Sequence, residues 1–92
     1  MPKVGPVILA VVGDRFLLPC RIGSILWEGS SNAGDTVRIT DPVLGIQFWK
    51  GRANDVQTYL GATFALPGLH APNGFKLDQL SSGAVSVYLN EN

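Results

Sequence analysis

Short runs in which every second residue is apolar recur along this chain, and a period of two is the signature of β-strands. Over residues 35–40, Val37 and Ile39 fall on one face while Thr36, Arg38 and Thr40 fall on the other. Over residues 84–89, Val85, Val87 and Leu89 point inward and Ser86 and Tyr88 outward. The same spacing groups Phe16, Leu18 and Cys20, then Ile46 and Phe48, then Leu60, Ala62 and Phe64. The dense run Ile25-Leu26-Trp27 places Trp27 in the core.

Eleven glycines and six prolines lie mostly between these runs. Asn32-Ala33-Gly34-Asp35, Ala71-Pro72-Asn73-Gly74 and Ser81-Ser82-Gly83 read as turns, and Asp41-Pro42 with Gly45 reads as a hairpin loop. Residues 51–55 and 66–73 read as long loops without strand or helix character. No twelve-residue window keeps helical spacing free of glycine or proline, and a single helical turn is expected at residues 78–82. The pattern predicts an all-β fold, a compact antiparallel β-sandwich or small β-barrel with long loops, as a single domain over residues 1–92.

Composition shifts attention from the core to the surface. Hydrophobic residues make up 46% of the chain and charged residues 15%, with seven basic and seven acidic side chains cancelling. Soluble domains carry about 25% charged residues, and a domain this small leaves much of its surface outside its core. A low-charge surface at zero net charge favours association. The expectation is a subunit of an assembly, a homo-oligomer such as a trimer. Cys20, alone, excludes an internal disulfide and reads as a small buried hydrophobe. The apolar run at residues 7–12 is short and ends at Gly13-Asp14-Arg15 without a small-residue cleavage site, so no leader is expected. No segment is long enough to span a bilayer, and no membrane partner is expected. Assembly in a reducing cytoplasm follows as the default.

Candidate chemistry is sparse. His70 is the one histidine, in a proline- and glycine-rich loop where an exposed or backbone-bonded side chain is expected. The acids are scattered, and Asp35 and Asp41 sit where turns use them. No phosphate-cradling loop occurs. Neither catalysis, nor a metal site, nor a cofactor is expected. Trp49, Lys50 and Arg52 lie close together with Arg38 on a neighbouring strand, yet zero net charge is a poor footprint for nucleic-acid binding.

Strict alternation sends Trp49, Tyr59 and Tyr88 to the faces opposite their apolar neighbours. On one reading these aromatics, with Arg52 and the loop around His70, form a protein–protein surface, where aromatics are enriched and charge is depleted. On the other, a fold that buries both faces, or a bulge that turns a ring inward, makes them core.

The segments Ile25-Leu26-Trp27-Glu28-Gly29 and Ala33-Gly34-Asp35-Thr36-Val37-Arg38-Ile39-Thr40-Asp41 carry a further likeness, with Gly45, Phe48-Trp49, Asn73-Gly74-Phe75-Lys76-Leu77, Leu80-Ser81-Ser82-Gly83 and Val87-Tyr88-Leu89. Together, over about residues 25–89, they resemble small all-β proteins encoded among the structural genes of tailed bacteriophages. The resemblance implies a virion protein, a decoration or cement protein that clamps major capsid subunits. It transfers no functional residues. The alternative is a small β-barrel binding module for nucleic acid, a host protein or a small ligand.

Overall fold

The computed structural model describes residues 3–29, 32–53 and 60–90, with side chains from residue 6 onward. Its strands are β1 (Lys3–Leu9), β2 (Arg15–Phe16), β3 (Cys20–Glu28), β4 (Thr36–Thr40), β5 (Gln47–Arg52), β6 (Leu60–Thr63), β7 (Leu69–Ala71), β8 (Phe75–Leu80) and β9 (Ala84–Asn90). They form two antiparallel sheets. One has the order β1-β9-β3-β6, with β7 also paired to β3; the other has the order β2-β8-β4-β5. The β3 strand is long enough that β7 pairs with its first residues and β6 with its later ones, so the two short strands share one edge.

The alternating apolar positions meet between the sheets. Leu9, Ile22, Ile25, Trp27, Val85, Val87 and Leu89 from the first sheet pack with Val37, Ile39, Phe75 and Leu77 from the second, all buried. Phe16 stacks on Phe75 with ring centroids 5.4 Å apart, joining the short β2 to the core. Trp27 is fully buried, and its indole N–H donates to the Ser82 carbonyl at 2.9 Å, so the ring fills the core without stranding its polar atom.

Several sequence expectations give way to local geometry. Alternation along residues 46–49 breaks at a register shift: Thr40 pairs with Gln47 but Ile39 pairs with Trp49, leaving Phe48 as the extra residue of a bulge. That bulge turns Trp49 to the side of Ile39, against the core, where the space above Gly51 and Val37 receives it. Ile46, expected inside, is 56% exposed. The Phe16–Leu18–Cys20 set fails for a related reason, because residues 17–19 carry the chain from one sheet to the other and leave Leu18 outside. Residues 78–80 belong to β8, with a turn only at residues 81–83, so no helical turn forms. The expected loops are shorter as well: Gly51 and Arg52 complete β5, and Leu69–Ala71 is the strand β7 that holds His70. Tyr59 lies outside the described residues.

Candidate docking surface

Strand register brings three connections to one pole of the sandwich. In the second sheet Thr40 pairs with Lys76 and with Gln47, and Lys76 pairs with Arg15, so the end of β4, the starts of β5 and β8, and the end of β2 lie together. In the first sheet Cys20 pairs with Ala71. Residues 17–19 join β2 to β3 at this pole, residues 41–46 join β4 to β5, and residues 72–74 join β7 to β8. Of the nine exposed large hydrophobics among the described residues, five are here: Leu17, Leu18, Val43, Leu44 and Ile46, each 56 to 71% exposed. Val11 and Val12 lie elsewhere, in the bend between β1 and β2, Ile8 is on an edge strand, and Leu66 is in the β6–β7 connection.

Asp41 fixes the apolar hairpin. Its carboxylate, only 2% exposed as a residue, accepts from the backbone N–H groups of Val43 and Leu44 at 2.7 Å each. The Asn73 amide donates to the same carboxylate at 3.2 Å to Oδ2, tying the 41–46 hairpin to the β7–β8 turn. The Asp41 backbone closes the loop: its N–H donates to the Ile46 carbonyl at 2.8 Å and its carbonyl accepts from Gly45 N–H at 2.9 Å. Gly45 has φ +73°, a left-handed conformation that a side chain resists. The Leu44 N–H does most to hold the Asp41 carboxyl below its ordinary range; burial opposes it, and Val43 N–H and the Asn73 amide add to it. The tip is therefore apolar outside and anchored inside by a carboxylate whose partners are all at hand.

Basic side chains flank this pole. Arg15 and Lys76 are neighbours across β2 and β8. On the outer face of the first sheet, Arg21 stands opposite His70, between the inward-facing Cys20 and Ile22. Pro19, Cys20, Arg21 and His70 line a shallow recess of about 120 Å³ directly after Leu17 and Leu18. Asp41, already engaged, is the one acid in the three connections.

The residues expected to form an interface do not converge. Trp49 is half-buried on the inner face of its sheet. Arg52 pairs with Thr36 at the opposite pole. Tyr88 stands opposite Ser24 on the outer face of the first sheet, half-buried, and His70 is exposed on that face next to the apolar tip. Sequence reading missed the tip because it assigned Leu18 and Ile46 to the core. The available signal was the run Pro42-Val43-Leu44-Gly45-Ile46: a hairpin loop that is apolar throughout has no reason to be so in water.

Cys20 and His70 share the recess, but the geometry does not make a nucleophile of the thiol. Burial pushes Cys20 up to about 11, away from thiolate at neutral pH. Among the described residues no three His, Cys, Asp or Glu side chains cluster so as to hold a metal ion. Comparison with protein families, with curated proteins and with solved structures gives no match to this chain.

Proposed function

We propose that this chain is a structural subunit that plugs its apolar pole into a socket on a partner protein, apolar at its centre and acidic at its rim. The observation that carries the reading is the tip itself: five exposed apolar side chains, of which Val43, Leu44 and Ile46 lie on a hairpin anchored by Asp41, with no free acid in these connections and with Arg15, Lys76 and Arg21 around them. A hairpin already held in place loses little entropy on docking. Burying a Leu or Val side chain fully gains about 1.5–3 kcal/mol, and these side chains have more than half of that left to gain. Arg15 and Arg21, neither of them in an ion pair among the described residues, disfavour a pole-to-pole contact between two copies, since like charges would meet. A different protein is the better fit. The resemblance to tailed-phage structural proteins suggests what it is: a repeated virion shell subunit, with this chain as a decoration or cement protein acting by added interface.

A photo-crosslinking residue placed at Leu44, in particles that carry the chain, tests this. The expected product is a cross-link to the major shell protein, absent when the same residue replaces Gln79 on the outer face of the other sheet. Cross-links to lipid or nucleic acid, or equal yields at both positions, would overturn the proposal.

A further inference from the structure

We propose that Arg21 and His70 form a carboxylate-binding subsite, so that the partner segment entering the apolar pole carries an aspartate or glutamate beside its apolar residues. This rests on the reading of the pole as a docking surface and adds the chemistry of the partner at one point of its rim.

Arg21 on β3 and His70 on β7 are directly opposite each other. Cross-strand neighbours lie about 5 Å apart, close enough for both side chains to reach one carboxylate. Elsewhere the molecule supplies such a carboxylate itself: on the outer face of the second sheet Arg38 and Lys76 share Asp78, at 3.3 and 3.8 Å. No carboxylate among the described residues serves Arg21 or His70 in this way. Their row in the sheet reads Lys3, Asn90, Arg21, His70, with no acid in it. Asn90 is buried, its amide donating to the Pro67 carbonyl at 3.1 Å. Arg21 and His70 line the recess together with Pro19, which follows Leu17 and Leu18 in the chain.

A carboxylate in that recess meets a guanidinium able to donate two parallel hydrogen bonds and an imidazole able to donate one.

Two capped peptides, acetyl-Leu-Leu-Asp amide and its neutral twin acetyl-Leu-Leu-Asn amide, serve as probes, with binding followed by NMR of the whole chain. The expected result is binding of the acidic peptide severalfold tighter than its neutral twin, with perturbed Arg21 and His70 signals. Arg21→Gln should weaken it severalfold, and His70→Ala should weaken it by less. Equal affinity for the two peptides, or an unchanged affinity in Arg21→Gln, overturns the subsite and leaves docking through the apolar tip standing. Tighter binding of inorganic phosphate than of the acidic peptide also overturns it, in favour of a phosphate ligand. Leu44→Ser, which spares Arg21 and His70, shows separately whether the apolar tip is used.

Discussion

Asp41 is buried as a charge because three donors surround it, and this gives its contribution a definite pH dependence. Its folded carboxyl is held below the ordinary 3.8. The stability it provides is therefore fully present above that value and is lost as pH falls through the depressed folded value. Acid unfolding of Asp41→Asn, followed by circular dichroism, should show a shallower loss of stability below about pH 4 than the wild type; an identical profile would mean that the carboxylate is not the anchor. Cys20 runs the other way. With its thiol raised from 9.0 to about 11, the neutral form is the one the fold favours, so its contribution is intact below pH 9 and is lost as pH rises toward 11. A thiol-specific reagent at pH 7.5 should label Cys20 slowly in the native protein and fast in denaturant. Rapid native labelling would contradict its burial.

At the scale of elements, strands were legible from the chain and the breaks in their alternation were not. Val37 and Ile39 of β4, and Val85, Val87 and Leu89 of β9, face the core as their period requires. The turns at Asp41-Pro42, Ala71-Pro72-Asn73-Gly74 and Ser81-Ser82-Gly83 fall where proline, glycine and asparagine place them. Of the two readings open for Trp49 the core one holds, because a bulge inserts Phe48; where a bulge falls is set by pairing with another strand, which no local pattern records. The apolar tip was hidden for a similar reason: exposure belongs to the assembled sheets, and Leu18 and Ile46 keep a strand-like spacing although they sit on connections. Gly74 shows the same dependence on a distant neighbour. It has φ +79°, and a Cβ there would fall 1.8 Å from the Phe16 carbonyl oxygen. Gly74→Ala should destabilise the protein by about 2 kcal/mol or more, since strain at a special backbone position adds to the clash. Denaturant unfolding checks this, and a change under 0.5 kcal/mol would show that β2 and β8 can part there at little cost.

For the whole molecule, core and tip separate stability from docking. Phe75 is fully buried and stacked on Phe16, so Phe75→Ala should lower unfolding free energy by about 3–5 kcal/mol. For a domain this small, that is a large share of total stability. The Leu44 side chain, on a residue 63% exposed, adds nothing to the core, and Leu44→Ser, which keeps the backbone N–H to Asp41, should leave the thermal midpoint within a degree or two. Such a division is what a plug requires: a core that sets the shape and a rigid end whose apolar side chains are stabilised only by a second molecule.

The affinity of the purified chain for the shell subunit proposed as its partner, compared between wild type, Leu44→Ser and Gln79→Ser, tests that division most directly. Docking through the tip requires Leu44→Ser to weaken binding by roughly tenfold, about 1.4 kcal/mol, with Gln79→Ser unchanged. Equal affinities for all three proteins, with folding intact, would contradict it and move the contact surface elsewhere on the sandwich.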